Sequence, residues 1–301
     1  MPMPPLPVRF EGDPEPLRID LHMHSTASDG ALSPARAVAL GASRGLTHMA
    51  LTDHDTLDGV AEAASAARRE GLVLMPGAEL STQWRGMGIH VVGLLPEGVR
   101  GELVEGLGAL AVAREKRAAT IASRMERVGL HDALARAREQ AGSERPLGRP
   151  DFARALVAAG LVPDVATAFR KHLGAGKPGD VKALWPAMAE AVRWILAAGG
   201  VAVLAHPVRY SLTRRKRGLL LDDFAAAGGQ AAELVSGFQN PDVTRDLSRQ
   251  LQERGLYASL GSDFHFPGGH LAPGSMSPVP RTATPPVWTH PRLAPRLNAG
   301  A

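Results

Sequence analysis

Short apolar runs and alanine-rich helical segments alternate along much of this 301-residue chain. This alternation is typical of α/β proteins, in which helices cover the faces of a parallel sheet. The runs predict seven strands, at residues 18–21, 48–52, 72–75, 89–94, 201–205, 231–235 and 257–261, and a shorter run at 286–288 hints at a last strand. We therefore expect an α/β fold with one parallel sheet.

Two of the helices between these strands have clear ends. The first is predicted to begin at Ser33 and Pro34, because serine caps a helix N-terminus and proline suits its first turn. It should close near Gly45. The second is predicted to run from Leu57 to Glu70.

The alternation stops after the fourth strand, and this break defines the expected domains. Residues 98–190 show helical patterns without a convincing strand, and predict a helical insert that acts as a substrate-binding lid. Residues 17–97 and 191–268 are then expected to form one barrel-sized domain. We expect a flexible leader at 1–16 and a Pro/Gly-rich C-terminal tail at 269–301.

Composition narrows the class of protein. Hydrophobic residues make up 45% and charged residues 21% of the chain, which is typical of a soluble globular protein. The sequence shows no apolar run long enough for a bilayer and no signal sequence, so we expect a cytoplasmic protein without membrane contact. Because there are no cysteines, thiolate catalysis, disulfides and cysteine-based zinc sites are excluded.

The net charge of +4 is unevenly distributed. Basic residues cluster at 113–128 and at 209–217. Such clusters suit a phosphate-bearing partner, although a solvated helix face or loop would have the same composition.

Histidines and acidic residues recur where the predicted strands end. His22 and His24 follow the first strand, with Asp29 in the next loop, and the second strand is followed by Asp53, His54 and Asp55. Glu79 follows the third strand, and His90 lies in the fourth. His206 follows the fifth strand, and the seventh is followed by Asp263 and His265. Six of the eleven histidines thus fall at one edge of the predicted sheet. Barrel enzymes place their chemistry at the carboxyl ends of their strands. The placement therefore predicts an active site.

Imidazole nitrogens combined with carboxylate oxygens suit zinc, manganese or iron. The side chains of His22 and His24 are two positions apart, so on an extended segment both can reach one ion. A carboxylate such as Glu79 can bridge two ions, and ions about 3.5–4 Å apart can clamp a phosphate ester. The sequence contains no Walker loop, GxGxxG fingerprint or GxSxG elbow, and nothing exposes Ser25 or Ser81 as a nucleophile. Metal-assisted hydrolysis is the favoured chemistry.

The segments HMHSTASDG, TDHDT, PGAELS, IHVVGL, AHP and GSDFH resemble, in order, the motifs of the PHP (polymerase and histidinol phosphatase) family. The resemblance extends over about residues 18–268. It implies a distorted seven-stranded (β/α) barrel and two to three divalent ions, Mn²⁺ above all, with Fe²⁺ or Zn²⁺ as alternatives. It also implies catalytic roles for Glu79, Asp263 and His206.

The resemblance implies three ligand sets. They are His22, His24, Glu79 and Asp263 for one ion, Glu79, His90 and His206 for a second, and Asp29, His54 and His265 for a third. Asp20, Asp53 and Asp55 remain as acceptors that could orient the ligating histidines, since such histidines usually donate their other N–H.

Within the family, AREKRAATI, GRPDFARALV and AGGVAVLAHPVRYSL resemble the branch that hydrolyses nucleoside 3′,5′-bisphosphates and degrades short RNA from its 5′ end. This resemblance implies that Arg114, Arg117 and Arg149, with Arg209 as a weaker candidate, bind the phosphate that is not cleaved. A guanidinium fork suits a phosphate. The expected partner is a nucleotide or short RNA, and no obligate protein partner is evident.

Three positions depart from that branch. Asp151 stands where a histidine is expected, residues 179–182 lack an expected aromatic, and a histidine is expected near Gln239. These departures leave the identity of the substrate open. They do not affect the predicted metal ligands, because none of them falls on a ligand position. The alternatives are a small-metabolite phosphatase of histidinol-phosphatase type and a non-catalytic module that binds metal or nucleic acid.

Overall fold

The computed structural model of the protein describes residues 18–142, 145–181 and 185–297. The predicted leader at 1–16 lies outside the described residues, as does Lys182. The chain divides into two compact units, one formed by Met1–Gly106 with Pro186–Ala301 and the other by Leu107–Trp185.

Seven strands form one sheet in the first unit. They are β1 (Ile19–Asp20), β2 (His48–Leu51), β3 (Val73–Trp84), β4 (Met87–Leu94), β5 (Val201–Leu204), β6 (Ala231–Ser236) and β7 (Tyr257–Gly261). They pair in sequence order, and the backbone N–H of Leu21 donates to Leu260 O, which joins the first strand to the last. The seven-stranded barrel predicted from the sequence is confirmed.

The direction of β4 differs from the prediction of a parallel sheet. β4 runs antiparallel to both β3 and β5, whereas the other pairs are parallel. The reason is a two-residue hairpin, because β3 extends to Trp84 and only Arg85 and Gly86, both with positive φ, separate it from Met87. Such a short turn can join only antiparallel strands. His90, early in β4, consequently lies opposite Ser81, beyond Glu79 along β3.

Ten α-helices are assigned among the described residues. They are α1 (Pro34–Ser43), α2 (Val60–Glu70), α3 (Glu102–Glu126), α4 (Ala133–Ala141), α5 (Arg149–Ala158), α6 (Val165–Ala168), α7 (Met188–Ala197), α8 (Arg214–Ala226), α9 (Pro241–Gln252) and α10 (Ala294–Leu297), with a π-helical turn at Phe169–Leu173. Ser33 caps α1 by accepting a hydrogen bond from Arg36 N, and Gly71 ends α2 with a positive φ, as their residue types predict. Among these described helices, none is both long and apolar enough to cross a bilayer.

Each unit has its own apolar core. In the first unit α1 and α2 pack against each other, α1 against β2 and α2 against β3, with Val38 and Leu51 fully buried. In the second unit Phe152 and Leu156 of α5 pack with Ile121 of α3. The two cores bury these apolar faces away from water.

The hint of a strand at 286–288 is wrong. Val287–Thr289 form a 3₁₀ turn, and only a single bridge links Pro286 to Ala258. Neither Pro285 nor Pro286 has a backbone N–H to donate, so a ladder cannot extend through them.

Candidate metal centre

The strand ends of the first unit bring the predicted ligands together. His22 and His24 lie just beyond β1, His206 lies two residues beyond β5, and Asp263 lies two beyond β7. Glu79 lies within β3, and its backbone N–H donates to the carbonyls that follow β2. The side chains of the cluster are therefore positioned by the sheet.

Three groups of side chains place possible ligand atoms within 4.8 Å of one another. The groups are His22, His24, Glu79 and Asp263; His24, Asp29, His54 and His265; and His54, Glu79 and His90. The first group is the same as the first predicted set. The second contains the predicted third set with His24 added, and the last shares Glu79 and His90 with the predicted second set.

The Glu79 carboxylate lies at the centre of the cluster and is only 1% exposed. Five imidazole nitrogens surround its two oxygens: His22 Nε2, His24 Nε2 and His54 Nδ1 each lie 3.1 Å from Oε2, while His90 Nδ1 and His206 Nε2 lie 2.8 and 2.9 Å from Oε1. His206, the one predicted ligand outside the three groups, thus reaches the cluster through Glu79. This geometry suits a carboxylate that bridges cations.

Neighbouring charges and hydrogen bonds outweigh burial in setting the pKa values of Glu79 and His24. Burial would raise the pKa of Glu79, but the imidazoles of His54, His22 and His90 hold it well below its usual value. Burial would lower the pKa of His24, but hydrogen bonds to Asp263 and Glu79 raise it to about 10. Buried carboxylates need compensating positive charge. Divalent cations held by the same nitrogens and oxygens would supply it, so the donor set fits metal ions.

Three residues of the site have left-handed backbone conformations that are rare outside glycine. Asp55 has a φ of 56°, His206 of 31° and Asp263 of 56°. Such conformations cost about 1–3 kcal/mol each and cluster at functional sites. The backbone N–H of Asp263 donates to His22 O and that of Asp55 to Glu79 O, so the site's own hydrogen bonds hold these conformations.

The three aspartates that could orient histidine rings accept hydrogen bonds from the loops around the site. Asp20 accepts hydrogen bonds from the backbone N–H groups of His22, Ser262 and Gly274. Asp53 accepts hydrogen bonds from Ser25 and Ser28 side chains and from backbone, and Asp55 accepts one from Ser81 N. Through these hydrogen bonds the three aspartates hold the loops that carry the predicted ligands.

Sequence reasoning missed Glu233, which accepts a hydrogen bond from His22 Nδ1. This residue lies on β6 and is buried. The signal that could have identified it is an acidic residue inside an apolar strand, AAELVS, since a buried charge requires a partner.

The four predicted phosphate-binding arginines fall in two places. Arg209 donates to Asp263 and to Ser236 O, so it contacts a predicted metal ligand. Arg114 and Arg117 lie in the second unit, each with its guanidinium 5.7 Å from the centre of the Trp185 ring.

Arg149, also in the second unit, stacks its guanidinium over the Phe169 ring and donates to Leu173 O. Arg114 is largely buried and Arg149 half-buried. These arginines therefore do not lie on a fully solvated helix face, which was the alternative left open by composition.

The positions that depart from the family branch have structural roles. Asp151 is fully buried, caps α5 by accepting a hydrogen bond from Gly148 N, and pairs with Arg145 and Arg154. The Gln239 side chain donates to Leu234 O. Residues 179–181 are held by backbone bonds such as Gly179 N to His172 O.

A seven-stranded barrel with a histidine and carboxylate cluster at its strand ends defines a metal-binding α/β-barrel protein. Residues 20–140 match the PHP domain. The chain is 41% identical to a 3′,5′-nucleoside bisphosphate phosphatase of Chromobacterium violaceum, over 90% of this chain and 95% of that protein. The chain belongs to the PHP family, which confirms the resemblance seen in the motifs.

Two further likenesses extend over nearly the whole chain. A 5′-3′ exoribonuclease of Haemophilus influenzae is 40% identical over 90% of this chain and 98% of its own length. A solved structure described as an amidohydrolase from Chromobacterium violaceum, with bound sulfate and no metal, superposes with a TM-score of 0.85 at 40% identity, covering 93% of this chain and 96% of that chain.

Gly261 leaves the space that His22 occupies. A Cβ built on Gly261 would lie 2.3 Å from the His22 Cβ, which is closer than two carbon atoms can approach. We predict that Gly261→Ala displaces His22, lowers the content of bound divalent metal after reconstitution and costs about 1–3 kcal/mol of stability. Elemental analysis and thermal unfolding measure the two effects.

Gly88→Ala is the matched control, because a Cβ on this β4 glycine would meet no atom within 4 Å. It should keep the metal content and change stability by less than about 0.5 kcal/mol. Equal metal content in both variants would contradict the prediction.

Proposed function

We propose that the protein is a metal-dependent phosphoesterase that removes the 3′-phosphate from nucleoside 3′,5′-bisphosphates, and that it also degrades short 5′-phosphorylated RNA from the 5′ end. The observation that carries the proposal is the Glu79 carboxylate with five imidazole nitrogens around it. Relatives about 40% identical, named for a bisphosphate phosphatase and an exoribonuclease, support the choice of substrate.

The proposed cofactor is a set of two to three divalent ions, with Mn²⁺ first and Fe²⁺ or Zn²⁺ as alternatives. His22, His24, Glu79 and Asp263 would hold one ion, Glu79, His90 and His206 a second, and Asp29, His54 and His265 a third. Bound ions of this kind polarise phosphoryl oxygens and lower the pKa of water.

The protein's own part is to hold these donors in place. Glu79 offers one oxygen to the His22 and His24 side of the cluster and the other to His90 and His206. Asp263 directs Oδ1 to His24, at 3.2 Å, while its Oδ2 accepts from Arg209. Arg209 is thereby proposed to hold this carboxylate as well as to face the substrate.

Arg114, Arg117 and Arg149 are proposed to bind the phosphate that is not cleaved. All three belong to the second unit, whereas every proposed metal ligand belongs to the first. Their guanidiniums are ordered by the rings of Trp185 and Phe169, which reduces the entropy lost on binding a phosphate.

A phosphate-release screen with Mn²⁺ tests the proposed function. The substrates are a nucleoside 3′,5′-bisphosphate, a nucleoside 5′-monophosphate and histidinol phosphate. We expect the highest kcat/KM for the bisphosphate, because only this substrate carries a second phosphate for the arginines. A preference for histidinol phosphate would instead support a small-metabolite phosphatase, and no release from any substrate would support a non-catalytic module.

Replacement of Arg149 should separate substrates. Arg149→Ala is expected to lower kcat/KM for a 3′,5′-bisphosphate. The loss of transition-state stabilisation should be about 1.5–3 kcal/mol, which is typical of a hydrogen bond to a charged group. This is about one to two powers of ten. Turnover of p-nitrophenyl phosphate, which lacks the distal phosphate, should hardly change. Steady-state kinetics at equal metal content measures both.

Arg136→Ala in α4 is the control, since this exposed arginine donates to His131 O in the same unit. It should alter neither substrate. Equal losses on both substrates with Arg149→Ala, or no loss on either, would contradict the assignment.

Replacement of Glu79 should reduce metal content and phosphate release more than replacement of Asp29 does. Glu79→Gln is expected to weaken the binding of ions on both sides of the carboxylate by more than the roughly 10–100-fold that loss of a ligand's hydrogen-bond partner costs. Asp29→Asn disturbs only the group with His54 and His265, so it should retain more metal and more activity. Elemental analysis alongside phosphate release compares them. Full metal occupancy with near-normal turnover in Glu79→Gln would show that Glu79 does not bridge.

A further inference from the structure

Glu233 is a buried carboxylate on β6 that none of the three candidate ligand groups includes. It is 1% exposed and lies between Ala232 and Leu234 in a strand whose residues are all buried. The pairing of β6 with β7 shifts register between Glu233 and Val235. Such an irregularity can re-aim side chains, and this one begins at the single charged residue of the strand.

Both oxygens of Glu233 contact predicted ligands that come from different strands. Oε1 accepts a hydrogen bond from the His22 ring nitrogen Nδ1. Oε2 accepts a hydrogen bond from the backbone N–H of His206, with the two atoms 2.6 Å apart. One carboxylate thus joins the segment after β1 to the segment after β5.

On the His22 side, the hydrogen bond determines which ring nitrogen faces the cluster. When Nδ1 donates its proton to Glu233, the neutral ring carries its lone pair on Nε2. His22 Nε2 lies 3.1 Å from Glu79 Oε2 and 3.4 Å from Asp263 Oδ1, within the first candidate ligand group. The bond to Glu233 therefore leaves the nitrogen that faces the cluster free to bind a cation.

On the His206 side, the hydrogen bond holds the backbone. His206 has a φ of 31°, a conformation that a residue with a side chain adopts only when its surroundings hold it. Its N–H donates to Glu233, and its Nε2 lies 2.9 Å from Glu79 Oε1. Without the acceptor at Glu233, that buried N–H would lose its hydrogen bond and the ring its fixed direction.

We propose that Glu233 is a positioning residue, which sets the ring nitrogen that His22 presents and the backbone conformation of His206, and so couples the two sides of the Glu79 carboxylate. The proposal rests on the metal centre described under the proposed function. Glu233 itself is not assigned as a ligand.

The proposal explains why a carboxylate is needed at this position. A glutamine has the same shape but only one acceptor oxygen. If its amide group faced His206 N–H, two donors would meet. If the amide group faced His22 instead, it would donate to Nδ1 and move the ring proton to Nε2, the nitrogen that faces the cluster. Either orientation removes one of the two functions.

Metal titration of the full-length chain tests the proposal. The wild type, Glu233→Gln and Asp151→Asn are stripped by chelation and titrated with Mn²⁺ by calorimetry. We expect Glu233→Gln to bind Mn²⁺ about 10–100-fold more weakly than the wild type, as is usual when the partner of a ligating histidine is lost. Circular dichroism establishes that each variant is folded.

Asp151→Asn is the matched control, because it also replaces a fully buried carboxylate by an amide, but in the unit that contains no proposed metal ligand. Asp151 pairs with Arg145 and Arg154, and neither arginine is a predicted ligand. Its affinity for Mn²⁺ should fall less than threefold. Equal weakening in both variants would mean a general effect of lost charge and would overturn the proposal.

A second measurement needs no variant at Glu233. In the Zn²⁺-loaded wild type, long-range ¹H–¹⁵N correlation spectra of the histidine rings should show a proton on Nδ1 of His22 and none on Nε2, with His22→Gln identifying the signals. A proton on Nε2 would overturn the proposal. Wild-type protein that binds no divalent ion would overturn the metal centre itself, whereas unchanged affinity in Glu233→Gln would overturn only the role of Glu233.

Discussion

The burial of the Glu79 carboxylate is the constraint on which the rest of the site depends. A carboxylate that is 1% exposed must be surrounded by donors or cations, and five imidazoles from four different segments supply them. Those segments meet because the seven strands curve into a nearly closed barrel, in which Leu21 N–H donates to Leu260 O. The chemistry of one side chain and the closure of the barrel are therefore two aspects of the same requirement.

The reversed strand β4 shows how the fold meets that requirement. His90 lies early in β4, and in a parallel strand the same position would lie away from the edge where the other strands end. The two-residue turn at Arg85 and Gly86 reverses the strand and brings His90 Nδ1 to 2.8 Å from Glu79 Oε1. The hairpin therefore contributes to the site, because it places the His90 imidazole beside Glu79, where a parallel strand would not.

Much of this could be predicted from the sequence, because strand runs and strand-end ligands are local patterns. The positions of His22, Glu79 and Asp263 follow from such patterns. The direction of β4 could not be predicted from them, because an apolar run has the same appearance in either direction. Glu233 was missed for a related reason: its significance depends on two partners, at sequence separations of 211 and 27 residues, that meet it only in the folded barrel.

The proposed metal ligands and the proposed phosphate-binding arginines lie in different units of the chain. Every proposed metal ligand lies in the first unit, where one displaced strand would disturb several ligands at once. Arg114, Arg117 and Arg149 lie in the second unit, which has its own core. Asp151, one of the departures, lies in that second unit and pairs there with Arg145 and Arg154. A change of this kind can therefore alter the surroundings of Arg149 without altering any hydrogen bond that holds Glu79 or Glu233.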